Sequence, residues 1–398
     1  MSEIRVTNVL GENGNSPVNF TKGINMSGIV TATSFVPTAQ GSLSHRNIII
    51  NGAMTVAQRA SSTTSNGYGF VDRFQTSVGT LSTGGNVTRS QQSLSSSDTG
   101  PWQAGFRKYA RMSTVAAGTA SANSYIEIYT HLEAQDIANS GWDYVSASGK
   151  ITLSFWFRCS ANQTFYAYLR SRDGTSQAYT FSFTASGNNT WTKITHTIPG
   201  NSNLTFNNDN GSGLSLYWTP FYGTDYTNNK TLNTWAAYDQ NNQTPDMAST
   251  WLTSGAATWD ITGVQLEVGP VATPFEHRSY GDELIRCYRY YYKMNGDSNK
   301  TYMIGMSDND NQNIYGFFHF PVPMRTAPTA IEQNGTAGHY KVRRDTTKSC
   351  TGVPTFTDAM PFYCRVNFPS SGHGWGTGQM LWCQGGSSSS YLGFSAEL

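Results

Sequence analysis

An all-β chain is predicted: an antiparallel β-sandwich of the jelly-roll kind, joined by a short helix to a smaller C-terminal β domain. Three observations predict it. The 398 residues include 22 Tyr, 20 Phe and 10 Trp, and large rings suit half-buried pleated surfaces. Many short segments alternate apolar and polar residues with a period of two. Gly, Asn and Asp turns separate those segments. Charged residues are only 13% of the chain, against about 25% in an average soluble protein. Its polar surface must therefore come from Ser, Thr, Asn, Gln and Gly. A chain this rich in aromatics differs from disordered sequences, which have few. At roughly 100–200 residues per domain, two or three domains are expected.

Residues 1–43 carry short β-like pieces such as SGIVTATSFVP, with β-branched Ile29, Val30, Thr31 and Thr33. They hold too few apolar residues for a core of their own, so they are expected to pack against a sister chain or a larger assembly. Residues 44–280 read as the sandwich. In KITLSFWFRC one face carries Ile151, Leu153, Phe155 and Phe157, and the other Thr152, Ser154, Trp156 and Arg158; this is the signature of a half-buried strand. TFYAYLRSRDGTSQAYTFSF reads as a hairpin turning at Asp173-Gly174. SYIEIYTHL, WTKITHTI, GLSLYW and DITGVQLEV add further strands. In residues 281–293 the period changes, with Leu284, Cys287, Tyr288 and Tyr291 on one helical face. Asp282 and Glu283 at the start suit the helix dipole, and Asp282–Arg286 is an i,i+4 pair. Residues 294–398 return to strands as a second β domain.

Several functions find no support. The opening MSEIRVTNVL has no basic or apolar signal region, and no run of about 18 apolar residues spans a membrane. A net charge of +1 argues against nucleic-acid binding, which normally needs a basic patch. Cys159, Cys287, Cys350, Cys364 and Cys383 lack zinc spacing, and a Cys350–Cys364 bridge is disfavoured in a reducing cytosol. DNDNQN (308–313) departs from an EF-hand loop at Asn313 and His319. No catalytic motif is present, so no catalytic residue, metal or cofactor is assigned.

Three segments occur in order: NIIINGAMTVAQRA…YGFVDRF (47–74), ITGVQLEVGPVATPFEHRSYGDELIRCYRYY (261–291) and FPVPMRTAPTAI (320–331). Together they resemble a family of bacteriophage and prophage tail-fibre or virion appendage proteins. In that family a jelly roll like a carbohydrate-binding module is followed by this joint and a C-terminal β domain. The opening IRVTNVLGENGNSPVNF…SGIVTATSF resembles the N-terminal segment of marine cyanobacterial phage structural proteins. The resemblance implies a virion component made in the host cytoplasm. It implies a homotrimer, with residues 1–43 anchored to other virion proteins. Glu267, Glu276 and His277 in the joint then read as structural rather than catalytic, and GFVDRF (69–74), with Asp72 and Arg73, as the approach to a strand.

Host surface polysaccharide is the expected ligand. Sugar C–H faces stack on flat rings while polar side chains bind hydroxyls, the mixed lining of small-ligand sites. Two loops have that composition. LYWTPFYGTDYTNNKTLNTWAAYDQNN (216–242) offers Trp218, Tyr222, Tyr226, Trp235 and Tyr238, with Asp225, Asp239 and Asn241. SSGHGWGTGQMLWCQGG (370–386) offers His373, Trp375 and Trp382. The alternative for both is that the rings are core or interchain contacts. Three functions follow: a non-enzymatic fibre that binds host glycans; a structural virion part, such as a capsid decoration, knob or collar, without host ligand; and a polysaccharide depolymerase.

Overall fold

The computed structural model describes residues 45–81 and 86–398. The segment read as an anchor, residues 1–43, lies outside the described residues. The sandwich consists of two six-stranded antiparallel sheets. The first runs Ser62–Thr63, Val87–Ser93, Lys108–Thr114, Ala257–Val268, Lys150–Cys159, Thr192–Pro199 in space. The second runs Trp235–Ala237, Gln177–Ser186, Asn162–Ser171, Ser212–Tyr222, Tyr125–Glu133, Gln75–Gly79.

The period-two pattern decides what the sheets bury. Ile151, Leu153, Phe155 and Phe157 turn into the core, where Phe157 packs edge-on against Phe183 and Phe165. The second sheet contributes Ile126, Ile128, Leu132, Leu169, Phe181 and Leu216 to the same core. The Asn162–Ser171 and Gln177–Ser186 strands pair as a hairpin, and Gly174 supplies the left-handed residue its turn needs (φ 59°). The first sheet's central strand, Ala257–Val268, has a bulge between Thr262 and Gln265, with Gly263 at φ 63°.

Beyond that strand, polar side chains fold the joint back on itself. Glu267 accepts from the Thr273 amide and hydroxyl at 2.9 and 2.6 Å. Gln265 accepts from the Glu276 amide at 2.8 Å, and Glu276 accepts from the Asn47 amide at 2.9 Å. The His277 ring bonds the Ala104 carbonyl at 2.8 Å. Glu267, Glu276 and His277 thus serve three different backbone segments.

Ser279 caps the following helix by accepting from the Asp282 amide. The helix spans Tyr280–Tyr288, shorter than the period suggested: Tyr291–Asn295 is a strand paired with Tyr391–Ser395. The Tyr run favours a pleated surface, and the strand partner arrives from about a hundred residues away, where helical periodicity cannot register it. The buried helical positions are Glu283 and Cys287.

The C-terminal lobe contains a three-stranded sheet (Tyr291–Asn295, Tyr391–Ser395, Ile331–Glu332) and a seven-stranded one. The latter runs Thr347–Ser349, Tyr340–Arg343, Met380–Gly385, Thr301–Ser307, Asn313–His319, Tyr363–Pro369, Thr355–Ala359. Its core gathers Ile314, Phe318, Val342, Val366, Leu381 and Phe394. DNDNQN is the turn of its Thr301–Ser307/Asn313–His319 hairpin, where Asp310 accepts from the Gln312 and Asn313 amides. All five cysteines are free and buried.

Both lobes belong to one compact unit, and buried charge joins them. Glu133, at the end of a sandwich strand, is fully buried and takes a two-pronged pair from Arg289, 2.7 Å at each oxygen. The Tyr290 hydroxyl adds a third bond at 2.6 Å. Arg73, just before the Gln75–Gly79 strand, pairs with Glu397 and lies 3.4 Å over the Tyr290 ring. Breaking a buried pair from one side strands the other charge. Glu133→Ala is therefore expected to lower the unfolding free energy by about 3–5 kcal/mol, measured by denaturant titration. A loss below about 1 kcal/mol would show that Glu133 does not hold the lobes.

Candidate functional site: a tyrosine groove on the second sheet

The face of the second sheet turned away from the core is built from tyrosines. Along Tyr125–Glu133, Ile126, Ile128 and Leu132 point inward, so Tyr125, Glu127, Tyr129 and His131 share the opposite face. Register aligns them with their neighbours. Tyr129 stands opposite Tyr217, Tyr217 opposite Tyr168, and Glu127 opposite Ser77. The Tyr129 and Tyr217 rings stack at 4.7 Å, and Tyr217 and Tyr168 at 4.6 Å with only 8° between planes. Both faces of Tyr217 are thereby covered, leaving its edge and hydroxyl.

A bulge between Trp218 and Phe221 resets the alternation of the Ser212–Tyr222 strand. Trp218 and Phe221 both enter the core, and Tyr222 returns to the tyrosine face opposite Tyr125. The loop after Gly223 forms a wall. It is tied down by Asp225 to the Ala122 carbonyl (2.9 Å), Gln243 to the Tyr226 carbonyl (2.9 Å) and Tyr238 to the Ser176 carbonyl (2.8 Å). The Thr180 hydroxyl donates to the Gln243 carbonyl at 2.9 Å.

Floor and wall enclose a groove of about 300 Å³ lined by Tyr125, Glu127, Tyr168, Arg170, Tyr222, Tyr226 and their neighbours. A hydroxyl network runs along its base. Tyr168 donates to Gln243 Oε1 at 2.7 Å and lies 3.2 Å from the Tyr222 hydroxyl, which bonds Glu127 Oε2. Burial pushes the Glu127 carboxyl up to about 7, against the opposing pull of the Tyr222 bond and Arg172. Burial also pushes the neighbouring His131 imidazole down to about 3, assisted by Arg172, Arg73 and Arg170. The Tyr217 hydroxyl is pushed up to about 12 by burial. The groove thus presents neutral hydroxyls, an amide and ring edges in its base, with the half-buried Tyr125, Tyr226 and Tyr238 on its rim. That mixture can bind a polyhydroxylated ring.

Of the eight residues singled out in the sequence, Tyr222, Tyr226 and Tyr238 line this groove. Trp218 is a correction: it is fully buried in the core against Phe74 and Phe155. Trp235 is also buried; it donates to the Pro199 carbonyl at 2.7 Å and packs on Tyr179. His373 and Trp375 stack together inside the C-terminal lobe, where Trp375 donates to Asp345 at 2.9 Å. Trp382 is 47% exposed and lines a separate hollow of about 380 Å³ with Ile304, Met380 and Arg344. Tyr125, Glu127, Tyr129, Tyr168, Arg170 and Tyr217 escaped the sequence reading. Their signal was the second phase of the strand alternation, in SYIEIYTHL and YAYLRSR.

No group of His, Cys, Asp and Glu side chains suited to a metal occurs among the described residues. Among them, no helix is long and apolar enough to cross a membrane.

No protein-family model and no curated protein sequence matches the chain. Many solved structures, these three among them, show partial likeness. The enzymatically active domain of tailspike protein 4 from bacteriophage CBA120 is 10% identical, with a TM-score of 0.30, over 56% of this chain and 21% of that one. This chain therefore spans about a fifth of that structure's length. TmCBM61, solved with β-1,4-galactotriose, is 8% identical with a TM-score of 0.27 over 56% of this chain and 99% of the module. The family 11 carbohydrate-binding module of Clostridium thermocellum, solved with a β-1,3-1,4-mixed-linked tetrasaccharide, is 10% identical with a TM-score of 0.25, over 53% and 98%. At these scores the functional reading stands on the groove itself.

Glu127 gives the groove a pH signature. Its folded pKa of about 7 lies above the ordinary 4.5, so folding favours the protonated form. The contribution is complete below pH 4.5 and is lost as pH rises to 7. His131 has the opposite sign, its stability contribution being lost as pH falls from 6.5 to 3. Comparison with Glu127→Gln isolates the acid. The stability of the wild-type protein relative to that variant is expected to fall between pH 4.5 and 7, measured by denaturant titration across that range. A flat difference would mean that Glu127 ionises freely in the fold.

Proposed function

We propose that this chain is a non-enzymatic virion appendage, a tail fibre, that binds host surface glycans in the tyrosine groove. The groove carries the reading: tyrosine hydroxyls, Gln243 and Arg170 converge with ring surfaces in a pocket fixed to a rigid sheet. At about 300 Å³ it sits at the small end of ligand pockets, roughly 300–1,000 Å³, and suits a short glycan segment. Each site is weak, and many copies on a particle multiply the attachment. Binding without cleavage is proposed because Glu127 is the one carboxylate lining the groove among the described residues. Hydrolysis by paired carboxylates needs a second one about 5–10 Å away. Virion placement, the N-terminal anchor and the homotrimer rest on the sequence resemblance.

A structural virion part without host ligand is the second reading, and the C-terminal sheet favours it. Paired positions share a face, and Ile304 stands opposite Trp382, and Met306 opposite both Met380 and Tyr315. With Phe317, two residues along from the half-buried Tyr315, this makes an apolar row in which Ile304, Met306, Phe317, Met380 and Trp382 are 47–63% exposed. Contiguous patches of this kind mark protein contacts. In the homotrimer this face is the contact between copies.

Two measurements test these readings. Binding of the full chain to host cell-surface polysaccharide is expected to weaken about tenfold or more in Tyr226→Ala and Tyr238→Ala, the loss of one rim contact being worth 1–2 kcal/mol. Trp382→Ala, compared at equal oligomeric mass because it lies on the face proposed as the contact between copies, should bind normally under the glycan reading. Binding that ignores both tyrosines would remove the groove from the function. Light scattering should give three times the 43.6 kDa chain mass, and Phe317→Glu should lower it. A monomer at micromolar concentration would overturn the trimer.

A further inference from the structure

We infer that the groove takes an acidic glycan, whose sugar carries a carboxylate or another oxyanion, held by Arg170 and Arg172. This rests on the groove being the glycan site.

Tyr168 and Arg170 line the groove, and Arg172, one residue past the strand's end at Ser171, reaches it through the hydroxyl of the lining residue Tyr217. Both guanidinium groups are already in place. Arg170 lies 3.5 Å over the Tyr238 ring and donates through Nε to Ser176 at 3.1 Å. Arg172 donates through Nε to Ser215 at 2.9 Å and through Nη2 to the Tyr217 hydroxyl at 2.5 Å. Both side chains are half-buried.

Among the described residues neither is at ion-pair distance from a carboxylate, and Glu127 acts on Arg172 only from farther off. Among the described residues, ion pairs engage Arg59, Arg73, Arg111, Arg158, Arg278, Arg289 and Arg344, but neither Arg170 nor Arg172. At Asp260 the fold sets one buried acid against two arginines, Arg111 and Arg158, whereas Arg170 and Arg172 share none. On the groove face two like charges stand side by side, which is costly without an anion. The nearby carboxyl, Glu127, is bonded to Tyr222, and burial pushes it up to about 7, so it is only partly ionised near neutral pH. His131, bonded to the same Ser215 as Arg172, adds no compensating charge. The result is a locally positive groove on a chain of net charge +1. Guanidinium groups with Nε already committed keep other N–H donors for an oxyanion, and Arg suits the planar, paired acceptors of a carboxylate.

The test uses the full chain on an array of neutral, carboxylated and sulfated glycans. The strongest binder is then compared with its carboxyl-reduced or desulfated form, which separates a carboxylate from a sulfate. The expected result is binding confined to acidic glycans, weakened roughly 10–100-fold on neutralisation, and by a similar factor in Arg170→Gln and Arg172→Gln, as for charge-assisted bonds. Binding should also weaken as salt rises from 50 to 500 mM. Equal binding of neutral and acidic forms, or folded arginine variants that bind like wild type, would overturn this inference and leave the glycan groove standing. If no glycan binds at all, the groove reading falls and the inference with it.

Discussion

The register between Tyr125–Glu133 and Ser212–Tyr222 is the constraint on which the groove depends. In a sandwich, the side chains that fill the core fix what their neighbours show outside. A slip of one residue would exchange Ile126 and Ile128 for Tyr125, Glu127 and Tyr129, placing a carboxylate in the core and aliphatic side chains on the groove. The core therefore specifies the site. The bulge after Trp218 breaks the alternation of the Ser212–Tyr222 strand beside the groove. Without it, Tyr217 and Tyr222, an odd number of residues apart, would occupy opposite faces. With it, both join Tyr125 and Tyr168 on one surface, and Trp218 and Phe221 both help to fill the core.

A second constraint follows from the chain's low charge. With so few ionisable side chains, each buried one has a visible task. Asp260 binds two arginines of the first sheet, Glu133 and Glu397 fasten the lobes, and Glu276 and Glu283 hold residues 47–51 through Arg278 and backbone amides. The acids of the QLEVGPVATPFEHR joint belong to this class. Glu267 accepts from Gln265 and from the Thr273 amide and hydroxyl, and Glu276 from the Asn47 amide and Arg278, so both set chain geometry. Their density in one motif reflects a tight reversal that water cannot stabilise from inside.

This explains what could be read in the sequence. The sandwich strands were legible because alternation is a local signal: KITLSFWFRC states its inner face outright. The Asp173-Gly174 turn was legible because its residues have intrinsic conformational preferences. The helix end was not, since Tyr291–Asn295 becomes a strand only through a partner near the C-terminus. The groove was half legible. Composition drew attention to the aromatic loop, and three of its rings line the groove, yet Trp218 and Trp235 share that composition and are buried. Aromatic density marks both cores and binding surfaces, and only parity along the strand, shifted here by a bulge, separates them. The floor was missed because its tyrosines come from three strands that only register brings together.

The arrangement of the groove also bears on discrimination. The stacked rings of Tyr129, Tyr217 and Tyr168 spend their faces on one another, so the floor contributes hydroxyls whose positions are set by the sheet. Such a floor has little freedom to adapt, and ordering it costs nothing at the moment of binding. Arg170 and Arg172 are fixed by the same sheet. A neutral sugar covering them would take water from two unpaired cations and return no charge, whereas an oxyanion compensates both. In the proposed site, rejection of a neutral ligand and attraction of an acidic one would thus come from the same two side chains, and selective sites need both. The physical source of that selectivity would be two neighbouring guanidinium groups with no carboxylate at ion-pair distance among the described residues, the reverse of Asp260, where one buried acid meets Arg111 and Arg158.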